Sequence, residues 1–446
     1  MRLLFVNPYI HDFAAHDLWT HPLGLLYLAE LAERWGFAVE ILDLLDRHHP
    51  AWQRKGRFPI KTHANGTGPF HKVELEKPAA VGFLKRRFSR YGAPREAVEA
   101  RLANMEIPDV VFCTSSMTYW YPGVAETVAL LRRFFPQTPL VLGGTYATLL
   151  SAHARETVRP DLLIRGPGEK ALGRYLSQQS KRELPPIEGC APIFSLCRVW
   201  RHYPILKSYP LLTSRGCPFT CSFCAGVRLN PPFFQVDPKK VEAEIRLATQ
   251  KLAQTELVFF DDALFCRPER HIKPLLRRVR ELEETFRFHT PNGLLARFID
   301  LELAELMAQC RFVRPRLSLE TISARHGPRI DHKVDRKQYA NAVAALHRAG
   351  YTAGDIVTYL LVGLVGQTIE EIREAVAFVH DVGSRVSLAY LSPIPATAEH
   401  EKAKLDPSTD PLLLSNTVYL AHFRPALYEA VESLRLEIKT KNERLG

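Results

Sequence analysis

The chain begins with a short apolar run followed by a helical stripe. Residues 2–6 read as a strand; across 22–35, Leu23, Leu26, Tyr27, Leu28 and Leu31 recur near helical spacing, and Gly36 supplies the stop. A second strand is expected at 38–42. The alternation resumes with a strand at 110–113, a helix at 123–135, strands at 140–142 and 162–164, and a helix from Glu169. Strands alternating with helices predict a Rossmann-like, doubly wound parallel sheet with ligands at the carboxyl ends of its strands. The pattern breaks across 177–207, rich in Ser, Gln and Pro, which reads as a linker. A second series then begins, with strands near 211–215, 256–261, 286–290, 316–320, 355–362 and 386–391. Helical patterns occupy 237–254, 268–284, 301–310, 336–349 and 368–381. Six βα units predict a partial (β/α)6 barrel of the TIM type, again with its chemistry at the carboxyl strand ends. The predicted division is a sheet domain at 1–176, a linker at 177–207, a barrel at 208–395 and a C-terminal helical segment at 396–446.

Composition excludes the simpler alternatives to this α/β picture. The 446 residues are 46% hydrophobic and 24% charged, as in folded globular chains and unlike disordered or fibrous ones. No apolar run reaches the roughly 18 residues of a membrane span, and Asn7-Pro8 follows the first strand where a signal peptide would continue, so a cytoplasmic protein is expected. The net charge of +11 is uneven: 47–101 carries thirteen Lys and Arg against four Glu, a net +9. Such an insertion attracts nucleic acid, acidic peptides or anionic surfaces; a solvated segment that keeps the chain soluble is the plainer reading and carries more weight.

Three of the 8 cysteines crowd into SRGCPFTCSFC, which places Cys217, Cys221 and Cys224 on the loop after the first strand of the second series. In a long chain without an export signal, a cluster of this kind points to metal or redox chemistry rather than disulfides. Three thiolates on one loop can hold three irons of a cubane and leave the fourth open. Structural zinc would want a fourth ligand, usually from a second pair, and no second pair lies nearby.

The segment CPFTCSFC resembles the C-x3-C-x-aromatic-C signature of the radical S-adenosylmethionine (SAM) superfamily. The resemblance implies that Cys217, Cys221 and Cys224 bind a 4Fe-4S cluster whose open iron is chelated by SAM. One electron then splits the sulfonium, giving methionine and a 5'-deoxyadenosyl radical that abstracts a substrate hydrogen. It also implies a reducing partner such as flavodoxin or ferredoxin. Carried residue by residue, SAM contacts are expected at Phe223, Asp261, Asp262, Glu320, Gly363, Ser392 and Pro393, with Gly366 in the same loop as Gly363. GLVGQT departs from the more usual Gly-Pro-Gly-Glu form of that loop. The bland alternatives are that Asp262 caps a helix and Gly363 merely turns. A carboxylate such as Glu320 at the end of an apolar strand needs a polar partner.

The first half resembles the cobalamin-binding domain that precedes many radical SAM barrels. Close backbone approach to a corrinoid suits glycines and small polar residues, so the cobalamin candidates are Asn7, Ser115, Ser116, Gly143, Gly144, Thr145, Gly166 and Gly168. The family's Asp-x-His-x-x-Gly motif is absent, which favours a form without a protein histidine on cobalt; His11, His16 and His21 lie at other spacings. The competing reading is a sheet that keeps the fold and holds no corrinoid. The run Met117-Thr118-Tyr119-Trp120-Tyr121 is either a flat platform for a macrocycle or buried area.

The leading expectation is a cobalamin-dependent methyltransferase acting on an unactivated carbon of a small molecule or peptide. The alternative is a radical cyclase, rearrangement or oxidation enzyme that does not use cobalamin. A transfer-RNA methylthiotransferase would carry three further N-terminal cluster cysteines, whereas only Cys113 precedes residue 190. No auxiliary cluster is expected from Cys190, Cys197, Cys266 and Cys310, and no RNA-binding signature supports a nucleic-acid partner.

Overall fold

The computed structural model describes residues 1–52, 61–186, 196–230, 232–326, 330 and 333–446. Part of the basic insertion (53–60) and part of the expected linker, with Cys190, lie outside the described residues. The chain forms two compact units, Met1–Lys207 and Ser208–Gly446.

In the first unit, β1 (Arg2–Asn7), β2 (Ala38–Asp43), β3 (Val110–Cys113), β4 (Leu140–Leu142) and β5 (Leu162–Leu163) pair in the order β5-β4-β3-β1-β2. Every pairing is parallel. Central strands of a parallel sheet are covered on both faces, so they need unbroken apolar runs; Leu3, Leu4, Phe5 and Val6 are all buried. The chain turns one way from β1 to β2 and the other way to β3, and the carboxyl ends of β1 and β3 are the switch point at which such sheets bind ligands.

The described part of the basic insertion is folded into this unit rather than standing as a solvated segment. Its strands Lys72–Leu75 and Phe88–Tyr91 form an antiparallel sheet with Ile10–Asp12. Arg47 is buried with its Nε 2.7 Å from Asp17, and Arg90 and Arg95 converge on Glu126 at 2.7 and 2.9 Å. The local charge surplus thus serves partly as internal pairing. Further along the chain, Val199–His202 also packs within the unit: Glu30 accepts from the backbone N–H groups of Arg198 and Val199, and Glu33 pairs with Arg201 and His202.

The second unit contains all six expected strands and short additions, among them the antiparallel pair Ser214–Arg215 and Phe234–Gln235. β6 (Tyr209–Leu211), β7 (Glu256–Phe259) and β8 (Arg287–His289) form one parallel sheet; β9 (Leu294–Leu295), β10 (Arg316–Glu320), β11 (Val357–Val362) and β12 (Arg385–Tyr390) form another. Among the described residues, hydrogen bonding runs as three strands plus four and not as one closed barrel, with a bridge between Phe288 and Phe312 beside the break. Helices separate the strands, and two begin with capping boxes, Asp335 with Gln338 and Thr368 with Glu371, which satisfy first-turn N–H groups. The C-terminal segment ends in the helix Pro425–Arg444, which buries Val431, Leu434 and Ile438. Asn442 both donates to and accepts from the backbone of Val386, covering part of the open edge of β12.

Candidate active site

The cysteine loop leaves the carboxyl end of β6 through the short strand Ser214–Arg215, and Gly216 turns it with φ +74°. Cys224 N–H donates to the carbonyl of Cys221 at 3.0 Å, and Gly226 N–H donates to Cys224 Sγ at 3.3 Å. Cys221 is buried, with Sγ 3.5 Å from the carbonyl oxygen of Ile330. Burial raises the pKa of all three thiols, that of Cys221 to about 12. Asp262 raises Cys217 and Cys224 further, Glu320 raises Cys221 and Cys224, and Lys333 opposes the shift at each thiol. Free thiols in this setting stay protonated and unreactive; metal coordination is what would draw off their protons.

Three thiols on one loop can hold three irons of a cubane and leave the fourth open, whereas structural zinc wants a fourth protein ligand.

Glu320 ends β10 at a register shift, and its φ of +65° lies in the left-handed region that a non-glycine residue rarely occupies. Backbone strain of this kind persists where surrounding structure imposes it, and it turns the carboxylate to Lys333, whose Nζ lies 3.3 Å from Oε1. Lys333 is thus the polar partner that the apolar strand end required.

The paired aspartates after β7 separate in role. Asp261 is buried, and its Oδ1 accepts from Thr213 N–H, Thr213 Oγ1 and Ser214 Oγ at 3.0, 2.8 and 2.6 Å. It braces the strand end from which the cysteine loop departs. Its Oδ2 is buried without a partner, and burial pushes its pKa up to about 6. Asp262 accepts from Asn230 at 2.9 Å and is the aspartate whose charge reaches Cys217 and Cys224.

Gly363 has φ +100° and Gly366 +80°, so both turn as only glycine does readily. Gln367 Oε1 accepts from Gly363 and Leu364 N–H groups, and Arg424 donates to the carbonyls of Leu364 and Gln367. The fully buried Glu399 joins this loop to the cysteines, accepting from Val365 N–H at 3.2 Å and Ser222 Oγ at 2.9 Å. Phe223 packs against the cluster of Leu361, Leu364, Leu391, Leu414 and Tyr419. Ser392 donates to the carbonyl of Leu414 at 2.5 Å, and Pro393 is buried beside it in sequence.

The sequence alone pointed to neither Lys333 nor Glu399. Lys333 follows a segment with no strand or helix pattern, and Glu399 sits in the short helix Ala398–Lys402. Each reaches the loop only through tertiary folding.

In the first unit, the cobalamin candidates split. Asn7 is buried and donates to Asp43, which also accepts from Tyr203. Ser115 Oγ donates to the Gly143 carbonyl at 2.6 Å and Thr145 N–H to the Ser115 carbonyl at 2.7 Å, tying the ends of β3 and β4 together. A Cβ on Gly144 would meet the Ser115 carbonyl oxygen at 2.2 Å, and one on Gly168 would meet Leu28 Cδ1 at 2.9 Å, so these glycines serve the protein's own packing. Gly143 has only Ile164 O at 4.0 Å, Gly166 has nothing within 4 Å, and Ser116 is exposed. Gly143, Gly166 and Ser116 are the candidates whose surroundings are open. His11 is engaged by Glu126 at 2.7 Å, and His21 packs edge-on against Trp200 and Tyr203. The aromatic run is largely structural: Tyr119 is buried, Trp120 donates its indole N–H to Asp12, and Met117 is exposed.

Comparison with known proteins places this geometry. Residues 211–379 match the radical SAM superfamily. The anaerobic magnesium-protoporphyrin IX monomethyl ester cyclase of Rubrivivax gelatinosus is 24% identical over 314 residues, 61% of this chain, and the match spans 54% of that relative. The cytidylyl-2-hydroxyethylphosphonate methyltransferase of Streptomyces wedmorensis is 22% identical across 88% of this chain and 80% of its own length. In fold, the chain is similar to the radical S-adenosylmethionine methyltransferase TsrM from Kitasatospora setae, solved with cobalamin and a [4Fe-4S] cluster, with a TM-score of 0.63, 17% identity and coverage of 90% of this chain and 74% of that one. No described helix is long and apolar enough to cross a membrane. The cysteine loop and the strands that carry it belong to a radical SAM superfamily domain, which this chain holds across residues 211–379.

Proposed function

We propose that the protein is a cobalamin-dependent radical SAM methyltransferase acting on an unactivated carbon. The observation that carries the radical step is the three-cysteine loop at the carboxyl end of a parallel strand, within the residues that match the radical SAM superfamily. When bound, a 4Fe-4S cluster supplies the electron that cleaves SAM to methionine and a 5'-deoxyadenosyl radical, and cobalamin supplies a methyl carrier. The chain's own residues do the rest. Cys217, Cys221 and Cys224 hold the irons, and Gly226 N–H steadies one thiolate. Asp262 and Glu320 offer carboxylates to the amino group of SAM. Glu399, Gln367 and Arg424 fix the Gly363 loop, which frames the adenosine side and helps exclude water. Gly143, Gly166 and Ser116 leave room for the corrinoid edge, and the sequence lacks the Asp-x-His-x-x-Gly motif that would place a histidine on cobalt.

A second reading, a radical cyclase or oxidase that does without cobalamin, draws on Gly144 and Gly168, which the protein's own packing already requires. Anaerobic purification and cluster reconstitution with added cobalamin, then iron and cobalt analysis and visible spectroscopy on one sample, separate the two. One cluster with stoichiometric cobalt and a product heavier by one methyl group favours the methyltransferase. A cluster without retained cobalt favours the second reading, and no cluster overturns both.

A further inference from the structure

We infer that the strand Lys72–Leu75 is a self-complementary interface: its open edge pairs antiparallel with the same strand of a second copy of this chain, about a two-fold axis at Val73. The pairing is independent of the activity proposed above.

The strand lies at one side of the three-stranded antiparallel sheet that the basic insertion builds on Ile10–Asp12. Lys72, Val73 and Glu74 are exposed, Val73 to 40%. On its inner side the strand pairs with Phe88–Tyr91, Lys72 opposite Tyr91 and Glu74 opposite Ser89. One step earlier in the same register, Gly92 N–H donates to the carbonyl of His71 at 2.9 Å. Along an antiparallel ladder, opposed residues that exchange hydrogen bonds alternate with opposed residues that do not. The backbones of His71, Val73 and Leu75 therefore point inward, and the N–H and C=O groups of Lys72 and Glu74 point outward. Among the described residues these outward groups have no partner. Such an edge is a template for another strand.

Charge selects the register. Pairing with a second copy must join outward groups to outward groups, so the registers open to the strand are few. Lys72 opposite Lys72 of the second copy, or Glu74 opposite Glu74, sets like charges across the seam and is disfavoured. With Val73 on the axis, each Lys72 stands opposite Glu74 of the second copy, about four backbone hydrogen bonds form, and the two exposed Val73 side chains meet. The axis makes each of the polar contacts twice over. Glu74 remains 60% exposed beside Arg87, whose Nε is 3.6 Å away, so its carboxylate is open to a second cation. Charged side chains ordinarily blunt an edge strand. Here they are opposite in sign and two residues apart, so they turn away the shifted registers and favour one. The seam is 4 residues long, which puts the dimer at the weak end of protein association.

The test uses the full chain in sedimentation velocity, from about 1 to about 100 µM, a range that spans weak dimers. Wild type is expected to show a reversible monomer–dimer equilibrium. Lys72→Glu and Glu74→Lys each set like charges at both positions across the axis, so each variant alone should dimerise about tenfold more weakly or worse. Mixed in equal amounts, the two variants regain opposite charges at both positions, and the mixture should dimerise near wild-type strength. Weakening without recovery on mixing overturns the inference, since a merely structural effect of one substitution would not be complemented by the other. A wild-type chain that stays monomeric throughout also overturns it and leaves the edge to a different partner; so does a dimer indifferent to both substitutions. Should either variant fail to fold, wild type decides. Zero-length carbodiimide cross-linking of mixed unlabelled and isotope-labelled chains, read by mass spectrometry, should join Lys72 of one chain to Glu74 of a differently labelled one, and absence of that product refutes the pairing.

Discussion

Replacing Glu399 with leucine tests whether one buried carboxylate holds the two loops of the site together. Leucine roughly keeps the volume and removes both acceptors, so the Ser222 hydroxyl and the Val365 N–H lose contacts of 2.9 and 3.2 Å. A hydrogen bond to a charged group contributes about 1.5–3 kcal/mol, and an unsatisfied buried donor costs about 1–3 kcal/mol. The hydroxyl can rotate to another acceptor and Val365 has a further interaction, so the low end applies, about 2–3 kcal/mol for the pair of contacts. If that loss is local, opening of residues 217–226 and 363–367 becomes about 30- to 140-fold more frequent, at 1.4 kcal/mol per factor of ten. Native-state hydrogen exchange read by mass spectrometry on those two segments, with the β10–β11 ladder as internal reference, measures it. Glu399→Gln keeps one acceptor and gains a donor that Ser222 Oγ can accept, so its effect should stay within about tenfold. Unchanged exchange in both loops of Glu399→Leu, or an equal rise in the reference ladder, would refute the bridging role.

Further outcomes follow from the same contacts. Single serine substitutions at Cys217, Cys221 or Cys224 should each abolish retained iron and the visible absorbance of the reconstituted cluster, while Cys113→Ser and Cys310→Ser, both buried elsewhere, should keep both. Gly144→Ala should destabilise the first unit by more than about 2 kcal/mol, because its φ is +96° and the new Cβ would strike the Ser115 carbonyl; Gly143→Ala should fold normally in calorimetry yet retain less cobalt if a corrinoid lies against it. Asp43 should impose a pH dependence. Burial raises its pKa to about 6, above its unfolded value, so the folded state binds the extra proton between about pH 4 and 6 and stability falls as pH rises through that window. Asp43→Asn, which can keep contacts to Asn7, Leu45 and Tyr203, should therefore gain on wild type by up to about 3 kcal/mol between pH 4 and pH 7. Calorimetric scans across that range that keep a constant difference would rule out this titration.

Much of the architecture is written locally. Apolar runs such as Leu3–Val6 and Leu360–Val362 mark central strands because a parallel sheet covered on both faces demands them, and the helical stripes between them require parallel crossovers. The cysteine loop is legible for the same reason: three thiols within eight residues must end close together however the remainder folds. The basic insertion was harder to read, since composition counts charges without their partners. Arg47, Arg90 and Arg95 find theirs in Asp17 and Glu126, residues supplied by other parts of the unit.

What the sequence determined by itself was the chemistry of short range: strand and helix periodicity, the clustered thiols, and the glycines that permit left-handed turns at 363 and 366. What tertiary structure decided was which polar groups face one another. It set Asp261 to bracing Thr213 and Ser214 while Asp262 accepts from Asn230, and it paired Glu320 with Lys333. It brought Glu399 to Ser222 across 177 residues of chain, and committed Gly144 and Gly168 to internal packing while Gly143 and Gly166 stayed open. The physical reason is one of range. Backbone propensity and side-chain period act over a few residues, whereas the cost of an unpaired buried charge or donor is settled only when distant segments meet.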